Sequence, residues 1–221
     1  MGIKNSEFSF AWIIYFSISV LIVLIASILK HSGLALSISA ISGVIFVLLS
    51  AKNKKISYVF AIINIVIYGV ILFNQKIYGS AIYSLLYCFP MYVYGYFHWK
   101  KVEKQKDLGI QKLKKRVKVL GFTILTILIV MYTIIVTFIG GNFVIFDAIA
   151  TILGFVSIYL LANKYIEQWH VFIIMNISGS IMWTILSIKN IANLPMALMY
   201  FVYSVNSIYG FITWTKKIKE V

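Results

Sequence analysis

The sequence predicts an all-α membrane protein of eight transmembrane helices. One helix leads, and two parallel three-helix repeats joined by a single linker helix follow, a 3-1-3 arrangement like that of SWEET proteins. Three observations predict this. The chain is 62% hydrophobic and only 12% charged, which is too little polar surface for a soluble domain of 221 residues. Its apolar residues fall in long runs that do not alternate, so helices are expected and a barrel is not. The chain also repeats itself. Val59-Phe60 and Asn64-Ile65 return as Val171-Phe172 and Asn176-Ile177, at the offset that also carries Leu48-Leu49 and Lys52 onto Leu160-Leu161 and Lys164. Tyr94-Gly95 and Trp99 return as Tyr209-Gly210 and Trp214, at an offset three residues longer. Duplicated apolar halves suggest a transporter whose site lies where the halves meet.

The elements follow in order. The first run, Phe8–Leu29, has Lys4 ahead of it but a core too long for a signal peptide, so it is read as a retained span. Leu34–Leu49, Ser57–Phe73 and Ser80–Phe97 make the first repeat. Val119–Ile139 is the linker helix, and Phe143–Leu161, His170–Ile188 and Leu194–Trp214 make the second repeat. Each is long enough, or nearly so, to cross a bilayer, which takes about 20 helical residues. Residues 1–33 are then an additional N-terminal helix and 34–101 the first repeat. Residues 102–142 are a basic loop with the linker, and 143–221 the second repeat with its tail. Three spans plus one is an even number, so both repeats enter the membrane with the same polarity.

Charge sets the orientation. The net charge of +14 does not point to nucleic acid, because the basic residues sit in gaps between apolar runs and form no stripe. Of 20 Lys and Arg, all but Lys30, Lys76 and Lys189 fall on the side shared by both termini and by the loop Lys100–Lys118. That side is expected to be cytoplasmic. Trp12, Trp99, Trp169 and Trp214 lie near span ends and are read as interfacial belts. Pro90 is expected to kink the fourth span.

The chemistry is sparse. There are no paired carboxylates, no metal-ligand spacing and no phosphate-cradling loop, so no catalytic residue, metal or cofactor is expected. The single cysteine, Cys88, has no internal partner for a disulfide. No acid lies at mid-membrane. Asp147 falls in the first turn of its helix, where a terminal role is expected. Ion coupling usually needs an intramembrane carboxylate, so facilitated diffusion is expected.

The candidate site is therefore neutral. Asn64 and Asn176 occupy equivalent mid-span positions, and an unpaired amide in hydrocarbon is costly, so both should face the interior. Helical spacing adds Tyr68 to the face of Asn64, and Phe172, Ser180 and Trp183 to the face of Asn176. The last helix of each repeat contributes Ser84 and Tyr87, and Tyr203 and Asn206. Aromatic faces with amides suit a neutral or cationic planar ring carried on a sugar. The asparagines are equally readable as glue between helices.

At KKISYVFAIIN (Lys54–Asn64), FPMYVYGYFHWKK (Phe89–Lys101), FDAIATILGFVSIYLLANKYIEQWHVFIIMNISGSIMW (Phe146–Trp183) and YGFITW (Tyr209–Trp214), the chain resembles the PnuC-type vitamin and nucleoside transporters. The resemblance covers about Leu34 to Lys217. It implies an inner-membrane homotrimer that takes up nicotinamide riboside by facilitated diffusion, with a cytoplasmic kinase trapping the product. Relatives that carry a deoxyribonucleoside, thiamine or riboflavin are the alternative. It also implies substrate contacts near Asn64, Tyr87, Phe172, Asn176 and Trp183. The chain departs from the family pattern at Phe172, where a second Trp is usual, at Ser84 or Leu85, where an amide is common, and at Gly95-Tyr96, which replaces Gly-Trp. A non-transporting scaffold or sensor is the more remote reading. A membrane-embedded enzyme would need buried His, Asp or Glu clusters that the sequence lacks.

Overall fold

Apolar runs without interior proline become helices because each backbone polar group then finds its partner within the run. In the computed structural model, which describes residues 10–104 and 109–219, this produces α1 (Phe10–Leu29), α2 (Gly33–Ala51) and α3 (Ser57–Asn74). Three of the serines in these helices add no burden. Ser19, Ser27 and Ser42 bond back to carbonyls four residues earlier, at 2.7, 2.8 and 2.6 Å. The first connection is tight: His31 and Gly33 take left-handed backbone, with φ of 48° and 72°. Lys4 and Glu7, and the start of the first expected span, lie outside the described residues, as do Lys106, Asp107, Glu220 and Val221.

The fourth expected span is not one uniform helix. α4 (Tyr78–Tyr83) runs into a π turn at Ser84–Cys88 and then into α5 (Phe89–Lys104). Pro90 explains the position. It has no N–H to give the carbonyl of Leu86, and its ring would collide with that carbonyl in a regular helix. Widening the preceding turn, with Phe89 N–H bonded to Ser84 O, relieves the collision. The distortion expected at Pro90 thus appears as an extra residue inserted one turn ahead of it. Pro195 falls in the first turn of its helix, where the missing N–H has no intrahelical partner anyway.

The remaining helices are α6 (Lys115–Ile139), ended by Gly140 at φ 77°, α7 (Val144–Ala162), α8 (Gln168–Lys189) and α9 (Leu194–Lys219). Asn190 accepts a hydrogen bond from Ala192 N (3.1 Å) and shapes the 3₁₀ turn Ile191–Asn193 that leads into α9. Among the described residues, seven helices are long and apolar enough to cross a membrane; the divided rod α4–α5 is the further element.

Packing places the core between α2, α3, α4–α5 and α7–α9. α2 packs on α3 and α9, α7 on α8 and on α4–α5, and α1 on α2 and α9. α6 packs chiefly on α7 and buries none of its side chains, leaving Phe122 and Phe138 at 73% and 86% exposure. Large apolar side chains turned outward over whole helix faces suit lipid and do not suit water. The four tryptophans read as belts are instead interior. Trp12, Trp99, Trp169 and Trp214 are all buried between helices. Trp99 Nε1 donates to Leu161 O, and Trp214 Nε1 to Ala51 O, each at 3.3 Å. The last carbonyls of a helix have no intrahelical partner and are open to such donors; Leu161 O also accepts from Lys164 N at 3.1 Å.

Candidate functional site

A cavity lies in the middle of this bundle. It leaves about 80 Å³ for the centres of water molecules, several times the ~10–15 Å³ that one water needs. It runs from Ser80 and Phe146, in the first turns of α4 and α7, to Trp169 in the first turn of α8. Besides Phe146 and Trp169, the aromatic side chains of Phe46, Tyr68, Tyr83, Tyr92, Phe172, Tyr200 and Tyr203 line it. Among the described residues, no Lys, Arg, His, Asp or Glu lines it.

The helices supply this wall by periodicity. On α8 the lining residues are Trp169, Phe172, Met175, Asn176, Gly179 and Met182. Each residue advances about 100° around a helix, so Gly179 lies about 20° from Phe172, whereas Ser180 lies about 80° away. Ser180 is accordingly turned to the flank, where its hydroxyl meets Ser204 Oγ of α9 at 3.2 Å. On α4–α5 the face reads Ser80, Ser84, Cys88, Tyr92. An unbroken helix would have followed Ser84 with Tyr87, Met91 and Tyr94. The π turn inserts one residue and moves the inward face one position along. Tyr87 therefore points away from the cavity, and its hydroxyl donates to Phe155 O at 2.7 Å.

Seven of the ten residues singled out in the sequence meet at the cavity: Asn64, Tyr68, Ser84, Phe172, Asn176, Tyr203 and Asn206. Tyr87, Ser180 and Trp183 do not line it. Trp183 is fully buried, and its Nε1 donates to the Tyr68 hydroxyl at 3.0 Å. It supports Tyr68 from behind. Tyr68 in turn shares a 2.8 Å hydrogen bond with the Tyr200 hydroxyl. Sequence reading missed Phe46, Tyr83, Tyr92 and Tyr200 as wall residues. Tyr83 and Tyr200 lie four and three residues from Tyr87 and Tyr203 in the same expected spans, a spacing that could have signalled them; Phe46 carried no signal.

The asparagines do two jobs with two ends. Asn64 Nδ2 donates to Ser39 O (2.8 Å) and Ser39 Oγ (3.1 Å) on α2. Asn176 Nδ2 donates to Ser207 Oγ (2.8 Å) and Tyr203 O (3.3 Å) on α9. Asn206 Nδ2 donates to Val47 O (2.7 Å) on α2. A backbone carbonyl only accepts, so these contacts fix which end of each amide is nitrogen. The oxygens of Asn176 and Asn206 are left buried without a partner, as are the Tyr203 hydroxyl and Trp169 Nε1. All four belong to cavity-lining residues. Buried polar atoms normally find partners, and these four stay unpaired on residues of the cavity wall.

Asp147 is buried beside the far end of the cavity and is fully engaged. It accepts from Ser80 N (2.9 Å), Ser80 Oγ, Thr151 Oγ1 (3.4 Å) and Tyr132 OH (3.3 Å). Ser80 N–H is one of the free amides at the start of α4, so Asp147 caps that helix from another one.

The nicotinamide mononucleotide transporter family matches the chain over residues 32–216. The nicotinamide riboside transporter PnuC of Neisseria mucosa is 29% identical over 194 residues, covering 83% of this chain and 73% of that one. Its counterpart in Haemophilus influenzae is 30% identical over 188 residues, covering 83% and 80%. A crystal structure described as the vitamin B3 transporter PnuC has a TM-score of 0.82 at 24% identity, covering 96% of this chain and 94% of that one. It is similar to this chain in fold.

Proposed function

The chain belongs to the nicotinamide mononucleotide transporter family, a family of membrane transporters and not of enzymes, and we propose that it takes up nicotinamide riboside by facilitated diffusion. The observation that carries the reading is the uncharged aromatic cavity with free amide oxygens. Nicotinamide riboside is a cationic planar ring bearing a carboxamide, joined to a polyhydroxylated sugar. The cation suits a box of aromatic faces, and the hydroxyl and amide hydrogens suit Asn176 Oδ1 and Asn206 Oδ1. Asn64, Tyr68, Ser84, Phe172 and Tyr203 complete the proposed contacts. Trp183 acts through Tyr68, while Tyr87 and Ser180 hold helices together.

Transport down a gradient is supported by Asp147, a buried carboxylate bonded to the cavity-lining Ser80, whose oxygens are occupied by four protein donors. A carrier without coupling only equilibrates its substrate. Net uptake then needs removal of the product, which a cytoplasmic kinase supplies. Proteoliposomes should take up labelled nicotinamide riboside without ATP, at a rate unchanged by imposed proton or sodium gradients. A several-fold stimulation by either gradient would sink the facilitator reading, and absence of uptake by folded protein would sink the substrate.

The proposed architecture is α2 to α5 as one repeat, α7 to α9 as the other, and α6 as the linker, with α4–α5 as the eighth crossing. Reciprocal packing supports it: the first helix of each set lies on the last helix of the other, and Trp99 and Trp214 make matching bonds across the seam. The assembly proposed is a homotrimer in the inner membrane of a bacterium, with the Lys-rich side cytoplasmic. Reporter fusions after Lys118 and at the carboxyl terminus should both behave as cytoplasmic. A periplasmic signal at either would overturn the crossing count.

A further inference from the structure

At the Lys-rich end, beyond the cavity, the bundle buries polar atoms that have no partner. Ser57 Oγ and the Tyr58 hydroxyl at the start of α3 are two, and the whole side-chain amide of Gln168 at the start of α8 is another. Ser57 and Gln168 are 0% exposed and do not line the cavity. Leaving a buried group unpaired costs about 1–3 kcal/mol. Several together at one end of a transporter call for a second state in which they are paired.

A row of rings lies at the same end. Tyr58 meets Trp99 edge-on at 5.1 Å, Trp99 lies 6.2 Å from Trp214, and Trp214 meets Trp169 edge-on at 5.5 Å. The row thus runs from α3 through α5 and α9 to α8, and Trp169 is also cavity wall. Its members are held in two ways. Trp99 and Trp214 are pinned by their bonds to Leu161 O and Ala51 O. Tyr58 and Trp169 have no hydrogen bond through their polar atoms and rest on glycines. A Cβ on Gly95 would come within 2.5 Å of the Tyr58 ring, and one on Gly210 within 2.5 Å of the Trp169 ring. These two glycines are equivalent in the duplicated sequence.

We propose that Tyr58 and Trp169 are the two moving leaves of a gate at the Lys-rich end, with Trp99 and Trp214 as its fixed posts. Ser57, Tyr58 and Gln168 form the polar passage behind the leaves. When the rings leave their glycines, these atoms meet water and the hydroxyl and amide groups of the passing ligand. The proposal rests on the cavity being the substrate site.

The test uses the full chain with Cys88→Ala, carrying Gln168→Cys or Ser57→Cys, in right-side-out and inside-out vesicles with a membrane-impermeant maleimide. Labelling should be slow at rest and should occur from the Lys-rich face alone. It should speed up several-fold while nicotinamide riboside is being transported. Adding Gly95→Ala, which pushes a leaf off its seat, or Tyr58→Ala, which removes it, should raise the resting rate about tenfold, a shift of ~1.4 kcal/mol toward the open state. Equal labelling from both faces would overturn the gate. So would rates unmoved by ligand and by both substitutions in protein that still melts cooperatively. Ligand binding is measured by calorimetry on the same samples. If nicotinamide riboside does not bind, the substrate reading fails, while labelling raised by Gly95→Ala or Tyr58→Ala still upholds the gate.

Discussion

Nicotinamide mononucleotide, the phosphorylated riboside, should fail to compete for the cavity, with affinity lower than that of the riboside by at least ~100-fold, or about 2.8 kcal/mol. The reason is charge. Moving an ion from water into protein without a partner costs several kcal/mol even after relaxation, and among the described residues no cation lines the cavity. Helix starts often bind phosphate through their free amides. The start of α4 reaches this cavity through Ser80, but Asp147 already holds the Ser80 amide and would repel a second anion. Calorimetric competition between the two ligands decides the matter. Equal affinity for both would mean that the ligand lies elsewhere. The same exclusion helps uptake, because a phosphorylated product would not re-enter the carrier.

Trp183→Ala should destabilise the fold by about 3–5 kcal/mol, the usual cost of emptying a buried aromatic site. Trp183 is 0% exposed and has Tyr68 packed 6.0 Å away, centroid to centroid. The change also removes the hydrogen bond that Trp183 gives to the Tyr68 hydroxyl. Tyr68 keeps its bond to Tyr200, so the cavity wall stays in place and the folded fraction should bind ligand within a few-fold of the parent. Melting temperature and affinity, measured on one preparation, separate the two effects. A lost affinity with an unchanged melting curve would place Trp183 in direct contact with ligand.

How far the sequence reached depends on the kind of information each feature carries. Long apolar runs and their duplication are local and periodic, so the helical membrane class was legible. Asn64 and Asn176 stood out because an amide is costly in hydrocarbon, and both do reach the cavity wall. What could not be read was that one end of the amide ties helices while, in Asn176, the other stays free, since that depends on where Tyr203 and Ser207 fall. The tryptophans were misread for a similar reason. A Trp near a span end looks the same whether it faces headgroups or a carbonyl of a distant helix, and only tertiary packing put Trp99 against Leu161 and Trp214 against Ala51. Tyr87 would face inward on a regular helix, and the wider turn at Ser84–Cys88 carries it away from the cavity. Pro90 marked the place of the irregularity, but not the residue it would add.

That widened turn also governs how this chain is set beside its relatives. Beyond Cys88, the residues that face inward are those one place later than regular counting gives. A relative whose helix is regular here would present the same inner surface with one residue fewer. A gap-free pairing of the two sequences would then match Tyr92 of this chain with a lipid-facing neighbour, and would report a substitution where the wall is the same. Placing a one-residue gap within Ser84–Cys88 restores the correspondence. Whether an aromatic or amide position in this helix has changed among relatives is therefore a question about the gap before it is a question about the ligand.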